Sequence, residues 1–222
     1  MSRGKVIVFG AGEVAEVVKF YLEHDSAFQV CAFTVDAGYV QESHCQGLPV
    51  LAFDEVAEAF PAEHYGVFVA ISFKQVNQLR AAKLAQVKTA GYRPISYISS
   101  KAVTWPGLAI GENTFIMENN TIQPFVSIGN NTIIWSGNHL GHHTRIGDHC
   151  FIASQAVISG SVNVGDYTFI GVNATIRDNV SIGRSCVIGA SALIMEDTKD
   201  FEVYLGPRTD PSRVPSNRLR RI

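Results

Sequence analysis

No stretch of eighteen consecutive apolar residues occurs in the sequence, so no segment reads as a membrane-crossing helix. Neither sign of charge dominates. Eighteen Lys and Arg stand against twenty Asp and Glu, a formal net charge of −2. That balance gives no electrostatic argument for nucleic acid or an anionic membrane as partner. Cysteine is scarce: Cys31, Cys45, Cys150 and Cys186, with no CxxC pair. The spacing fits neither a disulfide frame nor a zinc knuckle, and reduced structural thiols are expected. The opening MSRGKVIVFGAGE has too short an apolar stretch before its glycines for a secretory signal. A cytoplasmic protein without membrane insertion is the expectation.

What is present falls into two halves with different periods. In the first, KVIVFG (5–10) reads as a buried parallel strand. Residues 13–24 space Val14, Val17, Val18, Tyr21 and Leu22 as a helix would. Strand signals follow at 28–34, 48–53 and 67–71, with a polar turn at Asp36–Gly38. Asp54 is placed to cap a helix over 53–60, and 74–90 reads as a longer helix stopped by Gly91. This alternation predicts a small Rossmann-like parallel sheet over residues 1–96.

Near residue 95 the period becomes six. Every sixth position from Ile110 to Ile194 is Ile, Leu or Val, and a backward extension gives Thr104 and Ile98. Four residues after most of these comes a small side chain; Asn120 and Asn138 are exceptions. Neither the strand period nor the helix period explains this. A parallel β-helix does: each hexad is one short strand and one corner, and three hexads close a coil of eighteen residues. Asn120 and Asn138 then stack on one corner as amides bonded to each other or to backbone. The β-helix is expected over 97–198, with a cap and tail over 199–222. Arg208, Arg213, Arg218, Arg220 and Arg221 of that tail are either phosphate contacts or a solvated surface.

Four of the seven histidines, His139, His142, His143 and His149, fall within eleven residues. Transfer of an acyl group from a thioester to an amine or hydroxyl needs a proton acceptor, and imidazole suits that near neutral pH. It also needs a donor for the oxyanion. Gly160 lies eighteen residues after His142, so the two stack one coil apart. In the first half, Gly10-Ala11-Gly12-Glu13-Val14-Ala15 matches GxGxxA between a strand and a helix. Such a loop lets backbone approach a pyrophosphate. Asp36 follows the second strand, where an acidic group can meet a ribose or base. Phe73 and Lys74 follow the strand at 67–71, another usual ligand position.

A small Rossmann-like domain followed by hexads with central histidines resembles the NeuD/PglD-type sugar acyltransferases. The resemblance rests on VIVFGAGEVAE (6–16), the hexads from Ile110 to Ile194, and LGHHTRIGDHCFIASQAVISG (140–160). It implies a left-handed parallel β-helix, a homotrimer, and acetyl-CoA as co-substrate with no metal. The acceptor it implies is an amino or hydroxyl group of a sugar, often a nucleotide-linked 4-amino-4,6-dideoxyhexose of lipopolysaccharide or other surface glycan. His142 matches the family's catalytic base, and Gly160 the glycine whose N–H holds the acetyl carbonyl oxygen. The nucleotide is expected at Gly10, Gly12, Glu13 and Asp36, and the pantetheine along Gly160, Val172 and Ala190.

Two departures stand out. Relatives often carry an acidic residue after the base, where this chain has His143. His143 is a candidate catalytic residue that can orient His142 through a hydrogen bond but brings no negative charge; Asp148, His139, Asn138 or a backbone carbonyl could orient His142 instead. Relatives also often read GxSGHG, with a histidine where this chain has Val14. Other readings are hydroxyl acetylation of a sialic-acid type sugar and a non-catalytic nucleotide-binding trimer. A zinc site would need three histidines converging across an interface, and spacings of 3, 1 and 6 do not supply that.

Overall fold

A computed structural model describes residues 4–218. Arg220 and Arg221 of the tail series lie outside them. The first half is a sheet of six strands: β1 Gly4–Phe9, β2 Phe28–Val35, β3 His44–Cys45, β4 Leu48–Ala52, β5 Gly66–Val69 and β6 Arg93–Pro94. Their spatial order is β3-β4-β2-β1-β5-β6, parallel except for the β3–β4 hairpin. Helix α1 spans Glu13–His24, as its apolar spacing predicts.

Two helices differ from expectation. The one after Phe53 is a single turn, α2 Val56–Ala59, and Asp54 does not cap it; its N-cap is Glu55. The longer helix starts late, as α3 Gln78–Thr89. Gln75, Val76 and Asn77 all take left-handed φ (54°, 49° and 64°), so no right-handed helix can include them.

From Tyr97 onward the chain winds as a three-sided parallel β-helix. Its first face stacks 97–98, 115–116, 133–134, 151–152, 169–170 and 187–188. The second face stacks 121–122, 139–140, 157–158, 175–176 and 193–194; the third starts at 109–110 and ends at 181–182. Register advances by eighteen throughout, as in Ile134 beside Ile152. The second residue of each hexad strand, an aliphatic, points inward: Ile134, Leu140, Ile152 and Ile158 are fully buried. Each such side chain contributes roughly 2 kcal/mol of apolar burial.

The corners explain the residues between. The third residue after each inward aliphatic has positive φ from Asn113 to Ser191, His143 (60°) and His149 (60°) included. Asparagine is frequent there because its short polar side chain tolerates that region. The Asn120–Asn138 stack forms as expected, through backbone. Asn120 Oδ1 accepts the Asn138 N–H at 3.0 Å, and Asn138 Oδ1 accepts that of Ala156 at 2.7 Å. After Ile194 the hexad frame stops, yet Val203–Tyr204 still pairs with Val187–Ile188 as a last strand of the first face.

The two halves share a core. Outward residues of the first face, Tyr97, Phe115, Ile133, Phe151 and Phe169, pack with the β1–β2–β5 sheet and α1. Polar contacts border this core. The Tyr21 hydroxyl donates to Glu118, and the Tyr97 hydroxyl to Asp25 at 2.5 Å. Asn113 Oδ1 accepts the N–H of Val69 at 2.8 Å. Burial, then the Glu118 carboxylate, pushes the Tyr21 hydroxyl up to about 12.

Candidate active site

The edge between the second and third faces carries His142. Its backbone N–H donates to Gln123 Oε1 (2.8 Å) one coil away, and its carbonyl accepts the Ser161 N–H (2.8 Å) from the other side. The imidazole therefore lies across Gly160. A Cβ at Gly160 would stand 2.7 Å from the ring's Cε1 and 2.9 Å from Nε2. Only a residue without a side chain lets the ring lie there. Among the described residues, no acceptor takes the Gly160 N–H. An imidazole and an available backbone donor thus sit side by side on one exposed edge.

His143 is the residue that touches the His142 ring. The two Nδ1 atoms are 3.1 Å apart, with the ring planes at 85°. His143 is itself seated on the Phe125 ring, 4.7 Å between centroids. In an Nδ1–Nδ1 contact one nitrogen donates and the other accepts. If His142 donates, its Nε2 keeps a free lone pair on the Gly160 side. The other proposed orienting groups are engaged elsewhere. Asp148 accepts the Asn130 N–H at 2.6 Å on a different edge, and Asn138 bonds the Trp135 carbonyl and the Ala156 N–H. His139 lies half-buried on the second face, paired in register with Thr121 and Val157.

The four-histidine cluster therefore divides. His149 sits on the edge between the third and first faces, with Nδ1 2.9 Å from the Asn131 amide and its ring 4.7 Å from that of Tyr167. Burial lowers its basicity. Among the described residues, no three His, Cys, Asp or Glu side chains converge as a metal site would require.

The glycine loop has two distinct glycines. Gly10 has φ of +127°, and a Cβ there would meet the Ala70 carbonyl at 2.7 Å, so the fold itself requires it. Gly12, the N-cap of α1, has nothing within 4 Å of a Cβ, so its backbone is open to an approaching group. Glu13 follows it, exposed, in the first turn of α1. A carboxylate there competes with an anion for the helix N-terminus. Asp36 is already paired: its Oδ1 is 2.6 Å from Lys83 Nζ, which also lies over the Phe9 ring. Phe73 is half exposed, its ring 5.1 Å from Phe151 and 4.7 Å from Phe169. Lys74 is exposed and forms no ion pair among the described residues.

Val172 and Ala190 stack on the edge between the first and second faces, not on the histidine edge. Both are exposed, and neither backbone N–H has an acceptor among the described residues. The second face separates this edge from His142.

Residues 109–141, 126–160 and 161–195 match the bacterial transferase hexapeptide family (six repeats). A search of curated proteins finds no match. Among solved structures, the chain is similar to a histidine-to-asparagine mutant of perosamine N-acetyltransferase from Caulobacter crescentus, in complex with CoA and GDP-perosamine. Identity is 26% over 91% of this chain and 94% of that one, with a TM-score of 0.83. The chain has the architecture of the left-handed β-helix sugar acyltransferases. PerB from Caulobacter crescentus, also in complex with CoA and GDP-perosamine, is 27% identical over 90% and 93% of the two chains, with a TM-score of 0.79. The acetyltransferase domain of PglB from Neisseria gonorrhoeae, in complex with acetyl coenzyme A, shares the fold at 20% identity; it covers 90% and 95% of the two chains at a TM-score of 0.78.

Two features of this acyltransferase fold escape a period-six reading. On the first face, large apolar residues recur every eighteen residues one position before the inward aliphatic, aromatic at Tyr97, Phe115, Phe151 and Phe169 and aliphatic at Ile133, and mark the face that the first half covers. Arg80 is fully buried on α3 with Leu84 and Val87. Spacing of 0, +4 and +7 is a core stripe, and that stripe was the available signal.

Proposed function

We propose that the chain is an acetyl-CoA-dependent N-acetyltransferase acting on a nucleotide-linked amino sugar of the 4-amino-4,6-dideoxyhexose type. The observation that carries this reading is the His142 ring held between His143 Nδ1 and Gly160, beside an N–H with no acceptor among the described residues. The sugar amine attacks the thioester carbonyl carbon; a C–N bond forms, the C–S bond breaks, and CoA leaves as thiolate. His142 Nε2 takes the proton lost by the amine, and His143 accepts from His142 Nδ1, which fixes the tautomer. The Gly160 N–H donates to the oxyanion. Gly12 and Asp36 with Lys83 bind the nucleotide. Phe73 and Lys74 border it, and the pantetheine lies in the groove between neighbouring β-helices of the homotrimer, along Val172 and Ala190 of the neighbouring copy, whose N–H groups have no acceptor among the described residues. An amine is preferred over a hydroxyl because the chain is 26% identical to a perosamine N-acetyltransferase mutant in complex with CoA and GDP-perosamine, and 27% identical to PerB in complex with the same two molecules. Surface-glycan synthesis in the cytoplasm, by a homotrimer, is part of this reading.

The test is release of free thiol from acetyl-CoA with GDP-, UDP- and dTDP-linked 4-amino sugars. Turnover with one of them supports the proposal. No turnover with any, alongside tight nucleotide binding, would leave a non-catalytic nucleotide-binding protein.

A further inference from the structure

Arg80 is the largest fully buried side chain in the described structure, and no carboxylate pairs with it among the described residues. Its charge is met by carbonyl dipoles. Nη1 donates to the carbonyls of Ile71 (3.3 Å) and Ser72 (3.1 Å), at the end of β5, and to Asn77 Oδ1 (3.0 Å). Nε and Nη2 reach the Asn131 carbonyl (3.2 and 3.1 Å), and Nη2 also reaches His149 (3.1 Å) and Cys150 (2.9 Å). One guanidinium thus joins three places: the strand end of the first half, the turn before α3, and two successive coils of the β-helix. Burial brings its pKa down to about 9, and it stays charged near neutral pH.

The turn it holds is strained. Gln75, Val76 and Asn77 are consecutive left-handed residues, and Val76 is β-branched, for which positive φ is an outlier. Such a backbone persists only where its surroundings over-determine it. Asn77 supplies a second tie: its Nδ2 donates to the Tyr167 carbonyl at 2.9 Å on the same β-helix edge. Between strand end and turn lie Phe73 and Lys74. Phe73 rests on Phe151, and the Arg80 guanidinium lies 5.9 Å from that same ring.

We infer that Arg80 is a positioning residue for acyl transfer: with Asn77 it locks the Ser72–Asn77 loop to the β-helix, fixing the nucleotide side relative to the coil that runs from His142 to Cys150. This rests on the proposed nucleotide-sugar reading. Lysine cannot replace it, because one ammonium lacks the planar fork that spans these carbonyls.

The experiment uses the full chain with Arg80→Lys and Asn77→Gly. Glycine accepts the left-handed φ, removes all three side-chain bonds of Asn77 (to Tyr167, Thr168 and Arg80) and keeps Arg80, so it decides the matter if Arg80→Lys does not fold. Hydrogen exchange is read at the Ser72–Asn77 amides, and KM for nucleotide sugar and for acetyl-CoA separately. Faster loop exchange is expected, with nucleotide-sugar KM raised about tenfold and acetyl-CoA KM unchanged. Loop exchange equal to wild type in folded Asn77→Gly, or an equal rise in both KM values, overturns the inference. If no nucleotide sugar turns over, the functional reading fails while the exchange result still decides this one.

Discussion

Gly160→Ala isolates the geometry of the site because it removes nothing chemical. The backbone N–H stays, and so does every histidine. The added methyl carbon would lie 2.7 Å from His142 Cε1, 2.9 Å from Nε2 and 3.2 Å from Nδ1. Carbon contacts relax near about 3.5–4.0 Å, so the ring must move by on the order of 1 Å. The movement pulls Nδ1 from its 3.1 Å contact with His143 and turns Nε2 away from the neighbouring N–H. A displacement of about 1 Å in a reacting group costs roughly a hundredfold in rate, or about 2.7 kcal/mol at 1.36 kcal/mol per decade. Stability should change little, since the ring sits on an exposed edge and can swing outward. The assay is steady-state thiol release, with thermal melting as the control for folding. A hundredfold loss in kcat, with Tm within a few degrees of wild type, is the expected pair. A Gly160→Ala protein within threefold of wild-type kcat would show that the ring against Gly160 is packing and not chemistry.

Other outcomes follow from the same contacts. His143→Ala should lower kcat, by less than the roughly ten-thousandfold seen when a charged partner orienting a catalytic imidazole is lost, because His143 brings no negative charge; His143→Glu should recover most of it, and equal rates in all three proteins would exclude the orienting role. Asp25→Asn should lower Tm at pH 7. The Ser100 hydroxyl first, then those of Tyr97 and Ser99 and the Ser100 N–H, hold the Asp25 carboxyl well below the usual carboxylate range. The folded value is depressed, so this stability is present above about pH 4 and is lost as pH falls; the Tm difference from wild type should shrink below pH 4, and a constant difference contradicts the assignment. Ile152→Ala, in the fully buried stack of the β-helix, should cost about 2–5 kcal/mol by denaturant titration. Sedimentation of the purified chain should show three copies per particle, and a monomer would remove the trimer from the account.

How much of this is legible in the sequence differs between the halves. The β-helix is legible because one rule, an inward aliphatic every six residues, repeats for five coils. The same rule gives the step of eighteen that relates His142 to Gly160 and Asn120 to Asn138. What it hides is the difference between edges. His142 and His149 are close in sequence, but the third face separates them, so the four-histidine cluster becomes a pair on one edge, His139 on the second face, and His149 on another edge, where its carbonyl accepts from Arg80. In the Rossmann-like half, alternation places strands and α1 well. It fails at 74–77, where helix-compatible residues adopt a left-handed turn. The cause is long-range: Arg80 and Asn77 bind carbonyls of coils that lie fifty to ninety residues on. Asp36 shows the same limit, since its ion pair with Lys83 comes from the packing of α3 against β5 and β6 and not from local pattern.

The central claim is that His142 takes the proton from an attacking sugar amine. It is tested most directly by comparing wild type and His142→Ala in thiol release with the nucleotide-linked 4-amino sugar that wild type accepts. Loss of a general base should lower kcat by about a hundredfold to ten-thousandfold, with Tm preserved because the ring is exposed. Wild-type turnover in folded His142→Ala would contradict the account.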